Sequence, residues 1–425
     1  MLPFKSFVHD LQAGDFAPQL SALYPGEAAS QTERLLRAVV LFRENFGANA
    51  DIALFSAPGR SEIAGNHTDH NCGKVLAAAI NLDAVAIAAK RTDKRIIIKS
   101  EGHDRTDTVI TDLSPMPEEI GRSAALVRGV CAGFVERGYA IGGFEAASVS
   151  DVLSGSGLSS SAAYEVLLGT ILNHFYNDGK IPPLTIAQIA QYAENRFFGK
   201  PCGLMDQTAC AVGGFVAIDF ADTAKPIIRS VGFDFAACGH ALCITDSGGS
   251  HADLTDDYAN VRGEMEAVAA VLEKKVLRES NRGALLAAVP ALRERVGDRA
   301  ILRALHFYAE NDRVDALQKA LDANDFVTFC ALIKQSGRSS FMYNQNVYTG
   351  RPVGEQPVSL ALALSETILG GCGAWRVHGG GFAGTVQAFV PLNLLERYRN
   401  GMESVFGIGS CRILRVRAQG GVKIL

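Results

Sequence analysis

The chain has 425 residues, 48% hydrophobic and 20% charged, enough apolar content to bury a large core and exclude wholesale disorder, and its length predicts two domains. A net charge of −4 and a pI near 6.2 leave no basic footprint for nucleic acid or an anionic membrane, so any phosphate it binds belongs to a small molecule. Nine cysteines without a CxxC pair fit a reducing cytoplasm, where thiols serve as small buried hydrophobes.

The opening MLPFKSFVHDLQAGDF lacks the continuous apolar core of a signal peptide, and polar residues interrupt every candidate membrane span, which predicts a soluble cytoplasmic protein. Up to about Ala50 the pattern is helical, with Leu35, Leu36, Val39, Val40 and Phe42 at helical spacing. Strands follow at ADIALFSAPGR, VLAAAINLDAVAIAAK and RIIIKSEG.

The first two strands bracket PGRSEIAGNHTDHNCG, which gathers Arg60, Glu62, Asn66, His67, Asp69 and His70 in a loop that glycines allow to fold tightly. It reads as a polar substrate site. A metal site at His67, Asp69, His70 and Cys72 and plain turn capping are the alternatives.

Ser123 to Arg137 is helical, and the strand GGFEAASVSDV delivers the chain to DVLSGSGLSSSAA, residues 151–163. Here Gly155 and Gly157 let the backbone approach an anion, three successive serines add hydroxyl donors, and the helical run from Tyr164 offers free N–H groups and a positive dipole end. This is a phosphate cradle without the lysine of a Walker loop. A dinucleotide reading, with Asp178 as the ribose ligand, fails because YNDGK is a turn rather than a strand end.

A helix at Ile186 to Phe198 precedes CGLMDQ, whose one acid, Asp206, reads on its own as a helix N-cap. The strand FVAIDF comes next, then charge-rich helices from about Tyr258 to Leu332, and strands return at RVHGGGFAGTVQAFV and CRILRVRA. Composition does not decide whether the glycines of HGGGFAG make a tight turn or a close approach to a ligand. Strands and helices in both halves, without strict βαβ alternation, predict an α+β fold. A boundary near residue 220 gives an N-terminal domain, 1–220, and a C-terminal domain, 221–425.

Together, APGRSEIAGNHTDHN, GSGLSSSAA, PCGLMDQ and GGGFAGTVQAFV resemble, in order and spacing, the four motifs of the galactokinase branch of the GHMP small-molecule kinases. The likeness covers roughly residues 52–262 and 365–390. It implies a two-domain fold of mixed sheets and packed helices with the active site between the domains. The implied reaction is ATP- and magnesium-dependent phosphorylation of D-galactose at C1, with Asp206 accepting the hydroxyl proton and Arg60 as its charged neighbour. Gly155, Ser156, Gly157, Leu158, Ser159, Ser160, Ser161 and Ala162 would hold ATP, and Ser160 and Glu194 the magnesium. Asn66, His67, Asp69, the Gly203 backbone and Tyr258 would hold the sugar.

The family signature GEHTDYN has Asn66 for its glutamate and His70 for its tyrosine here, and Leu153 replaces a proline before the loop. Because the glutamate faces C6 of the sugar, Asn66 predicts weaker repulsion of a C6 carboxylate. Galacturonate, N-acetylgalactosamine and arabinose are therefore the alternative substrates. A sensor that binds galactose and ATP without transferring phosphate is the alternative of another class, disfavoured by the intact serines and Asp206.

Overall fold

The computed structural model describes residues 1–152, 157–200, 202–248, 254–350, 353–382 and 384–425. Three helices, Phe4–Ala13, Ala17–Leu23 and Ala28–Phe46, open the chain. Each is amphipathic, and Phe4, Phe7, Leu11, Leu20, Leu35, Val39 and Phe42 bury one face against Ile52, Leu54, Val85, Ile87, Ala147 and Val149 of a sheet. The alternation in Ile52 and Leu54 is the period of a strand. Phe55, the residue after Leu54, points the other way and meets Phe175 edge-on at 5.3 Å.

The strand Asp51–Ala64 is buried from its second residue to its last, as expected of a strand covered on both faces. In the sheet it lies between Leu2–Pro3 and Lys74–Lys90, and the order continues through Phe144–Ser150, Arg95–Ser100 and Thr106–Val109. Phe144–Ser150 runs antiparallel to Lys74–Lys90 but parallel to Arg95–Ser100, so the sheet is mixed. The helix Ser123–Glu136 comes before the strand Phe144–Ser150, and the helices Ser160–Tyr176 and Pro183–Ala193 come after it.

The chain forms two compact units, each discontinuous in sequence: residues 1–60, 79–214 and 417–425 make the first, and 61–78 with 215–416 the second. The second unit has a four-stranded antiparallel sheet in the order Ala374–Val377, Thr385–Pro391, His240–Asp246, Cys411–Leu414. Its helices include Thr255–Val271, Asp298–Asp322, Phe326–Ser339, Pro357–Leu369 and Leu395–Phe406. The architecture is α+β. Among the described residues no helix is long and apolar enough to cross a membrane.

The sequence reading omitted the strand His240–Asp246 and the helices Pro357–Leu369 and Leu395–Phe406. His240–Asp246 is one of the two inner strands of its sheet, yet HALCITD is too short to show a period.

Candidate active site

In the first unit the strand Asp51–Ala64 runs so close to Leu158, near the end of the segment read as a phosphate cradle, that a side chain at Gly59 would meet the Leu158 carbonyl at 2.7 Å. The next residue, Arg60, uses this proximity twice: its N–H donates to Leu158 O at 3.1 Å and its Nη1 to Gly157 O at 2.5 Å. The remaining edge of the guanidinium grips Asp206, Nε to Oδ1 at 2.7 Å and Nη2 to Oδ2 at 2.8 Å. A two-armed pair of this kind fixes orientation as well as charge.

Asp206 sits in the first turn of Met205–Val212, but the N-cap residue is Leu204 and no side chain caps the helix. The N-cap reading of Asp206 is therefore corrected: its carboxylate goes to Arg60 and to the Ser159 hydroxyl instead. The Asp206 side chain keeps 32% exposure. Lost hydration is the largest influence on its pKa and pushes it up, yet the charge and bonds of Arg60, the Ser159 bond and the Lys200 charge together hold it below the usual carboxylate range.

Ser159 holds a left-handed backbone, φ 61°, at the head of the helix Ser160–Tyr176. That conformation is disfavoured for a serine and is found where the surroundings enforce it, as at ligand-binding turns. Its hydroxyl is turned to Asp206 and no side chain caps the helix, which leaves first-turn N–H groups able to face an anion. Leu158 and Ala162 are buried, Ser160 and Ser161 partly exposed and Gly157 exposed. Gly155 and Ser156, expected to bind ATP, lie outside the described residues, as does Leu153.

Glu194 opens a π-helical turn, Glu194–Phe198, a device common at functional sites. Its buried carboxylate accepts from Ser161 Oγ at 3.2 Å, Lys200 Nζ at 3.1 Å and Gln207 Nε2 at 2.8 Å. The loop serine bonded to Glu194 is thus Ser161, one residue beyond the expected Ser160. Gln207 also reaches a second buried carboxylate, Glu165, at 3.3 Å. Burial first and the Glu194 charge second push the Glu165 pKa well above the usual range. Sequence reasoning missed Glu165, Gln207 and Lys200. The signal was the lone acid in the apolar run AAYEVLLGTIL.

A single carboxylate with neighbouring serine hydroxyls suits a hard divalent cation that keeps water and phosphate oxygens as its other ligands. No group of three or more His, Cys, Asp or Glu poised for a metal occurs among the described residues, so the metal reading of His67, Asp69, His70 and Cys72 has no such cluster behind it.

In the second unit the signature loop is bound into its surroundings. Asn66 is 1% exposed. Its Nδ2 donates to Glu62 Oε1 at 3.0 Å and Gly379 O at 2.6 Å, while its Oδ1 accepts from Asn346 at 2.7 Å and Ser340 at 3.4 Å. Both donors and the acceptor of the amide are taken up by protein groups.

His67 places Nε2 at 2.8 Å from Gly380 O and Nδ1 at 3.2 Å from His70 Nε2. A carbonyl can only accept, so Nε2 carries the proton. Burial first and the His70 charge second lower the His67 pKa to about 3, which keeps the ring neutral. Tyr258 donates to Gly381 O at 2.8 Å. Gly381, at φ 80°, comes so near Asn346 O that a Cβ would sit 1.9 Å from it.

The glycines of HGGGFAG, at 379–381, accordingly belong to the connection between Ala374–Val377 and Thr385–Pro391, with their carbonyls held by Asn66, His67 and Tyr258. Asp69 is the signature residue with an accessible carboxylate, 23% exposed and 3.4 Å from His70 Nδ1. Gly203, in the first unit, is exposed.

The loop rests on one helix, Asp298–Asp322. His306 Nε2 donates to Asn66 O at 2.9 Å, Glu310 accepts from Gly65 N at 3.1 Å, and Asn311 accepts from Lys74 N at 2.7 Å. Burial favours protonation of Glu310, but the charges of Arg313, His306 and Arg376 and the Ser336 bond bring its pKa to about 2. The sequence reading saw this stretch only as charge-rich helix, although the four-residue spacing of His306 and Glu310 marked a polar face.

Residues 41–90 match the galactokinase galactose-binding signature, and residues 125–214 match the N-terminal domain of GHMP kinases. A galactokinase of Streptomyces coelicolor is 32% identical over 382 residues, covering 88% of this chain and 94% of the relative. The structure of Lactococcus lactis galactokinase complexed with galactose superposes with a TM-score of 0.76 at 25% identity, covering 92% of this chain and 100% of that one. Mevalonate kinase of Methanococcus jannaschii shares the fold alone, with a TM-score of 0.61 at 13% identity over 86% of this chain and 98% of that one.

Proposed function

Because this chain belongs to the galactokinase family, we propose that it is a sugar kinase that phosphorylates D-galactose at C1, with ATP as the phosphoryl donor. The observation that carries the chemistry is the two-armed Arg60–Asp206 pair at the exit of the phosphate cradle. A sugar hydroxyl is a poor nucleophile at neutral pH, and a carboxylate held ionised by a guanidinium can take its proton as the bond to phosphorus forms. Arg60 keeps that carboxylate charged and aimed, and adds positive charge where the transferring group gathers negative charge. The first-turn N–H groups of Ser160–Tyr176, with the serine hydroxyls before and within that turn, bind the phosphates.

Glu194 with Ser160 or Ser161 would hold magnesium, which when bound neutralises phosphate charge. Asp69, His67 and Tyr258 of the second unit are sugar-recognition residues in this reading, the Gly203 backbone is another on the first unit, and Asn66 braces the loop that carries Asp69. The protein acts in the cytoplasm on small molecules.

The deciding experiment couples ADP release to a panel of galactose, galacturonate, N-acetylgalactosamine and arabinose. The expected result is the highest kcat/KM with galactose. A higher value with another sugar would reassign the substrate, and galactose binding with no ADP released from any sugar would make the protein a sensor.

Glu194→Gln is expected to raise the magnesium concentration for half-maximal rate by about tenfold, because it replaces a charged oxygen ligand by a neutral one. Sugar KM should change little. Ser160→Ala and Ser161→Ala, titrated side by side, identify which hydroxyl serves, and an unshifted titration in all three variants would place the metal elsewhere.

A further inference from the structure

Asp83 lies on the strand Lys74–Lys90 at 0% exposure, and the phosphoryl transfer described above makes no use of it. Four donors converge on its carboxylate: the hydroxyls of Tyr24 and Ser56 and the guanidiniums of Arg34 and Arg417, the last at 2.7 Å. Arg417 also bonds Ser56 Oγ at 2.7 Å and Gly420 O at 3.1 Å. A buried carboxylate demands such compensation, because it gives up its hydration. Burial would push its pKa up, but the charges of Arg34 and Arg417 and the two hydroxyl bonds hold it below the usual range.

Two guanidiniums against one carboxylate leave a positive charge over. Asp151 supplies the balance: its side chain takes the other arm of Arg34, and its N–H donates to Asp83 O at 3.0 Å. In this set of two positive and two negative groups, Arg34, Asp83 and Arg417 are at most 4% exposed while Asp151 is 36% exposed. The charge balance therefore ties a surface residue to a buried anchor.

Asp151 is where the strand Phe144–Ser150 hands the chain to the segment that resembles the family's ATP loop. The exit of that segment is fixed by Arg60 through Gly157 and Leu158. Each end is thus fixed by an arginine: the entry by Arg34 from the helix Ala28–Phe46, the exit by Arg60 from the strand Asp51–Ala64.

We propose that Arg34, anchored on Asp83, is a positioning residue for the nucleotide, fixing the entry of the phosphate loop through Asp151 so that the N-terminal helices help set ATP affinity. A loop whose two stems are already placed has less conformational freedom to lose when phosphates bind. Asp83 and Arg34 touch neither phosphates nor sugar in this scheme. The proposal rests on the kinase reading.

The test measures binding of ATP and of galactose separately, by calorimetry on the full chain, alongside steady-state kinetics. Arg34→Met and Asp151→Asn are each expected to raise the Kd and KM for ATP about tenfold, with galactose Kd and kcat within about twofold of wild type. The double variant should be no worse than the worse single one, since both break the same link. Should Arg34→Met fail to fold, Asp151→Asn, altered at a partly exposed position, decides alone. Unchanged ATP affinity in folded Asp151→Asn, or equal weakening of ATP and galactose, would overturn the proposal and leave the kinase reading standing. Wild-type protein that bound no ATP would overturn both.

Discussion

Asp206→Asn is expected to lower kcat by at least about 100-fold while ATP affinity stays near the wild-type value. The amide has the shape of the carboxylate but can neither take the proton of the sugar hydroxyl nor carry the charge. It can face only one of the two Arg60 N–H groups that now meet Asp206 at 2.7 and 2.8 Å. Arg60 would then keep an unbalanced positive charge beside the phosphate loop, which favours nucleotide binding rather than opposing it. Steady-state kinetics with a separate nucleotide titration checks both halves. A variant that kept more than about a tenth of wild-type kcat would end the assignment of Asp206 as proton acceptor.

The same pair sets the pH response. Because Arg60 holds Asp206 below the usual carboxylate range, the acid limb of kcat/KM should lie at lower pH than that of an unperturbed carboxylate. Removal of the guanidinium, as in Arg60→Met, takes away the main stabiliser of the ionised form, and the limb should move to higher pH.

Asn66→Glu is expected to destabilise the second unit by about 3–5 kcal/mol, the range found when a buried charge is left uncompensated. The substitution removes both N–H donors, so Gly379 O and Glu62 Oε1 lose partners at 2.6 and 3.0 Å, and it sets a second carboxylate against that of Glu62. Arg376, 3.2 Å from Glu62 Oε1, can offset only one of the two charges. The melting temperature should fall by at least about 5 °C. Glu62→Gln in the same background should recover most of the loss, because it removes the like-charge contact. A variant that melted like wild type and changed sugar selectivity instead would show that position 66 reads the substrate.

The outcome at Asn66 shows where sequence reasoning stopped. The resemblance to the family signature directed attention to C6 of the sugar, a sound inference for a residue whose side chain is free. Here the partners of the amide are Glu62, four residues away, and Asn346, 280 residues away. The likeness could not disclose which groups fill the amide, since Ser340, Asn346 and Gly379, 274, 280 and 313 residues away, reach it only in the folded chain.

What the sequence determined by itself was local. Glycines and serines ahead of an apolar helical run read as an anion cradle, because free N–H groups at a helix start and small residues beside them depend only on near neighbours, and the run itself forms the helix Ser160–Tyr176. The amphipathic opening helices and the buried strand as far as Arg60 were legible for the same reason, since periodicity is a property of consecutive residues; the structure carries that strand on to Ala64, through residues the sequence reading gave to a loop. Tertiary structure alone decided the electrostatics: that Asp206 meets Arg60 across 146 residues rather than capping its own helix, that Ser161 bonds Glu194, and that Asp83 gathers Tyr24, Arg34 and Arg417. Charge pairing and hydrogen-bond satisfaction depend on distances of a few ångströms, and only the folded chain sets those distances.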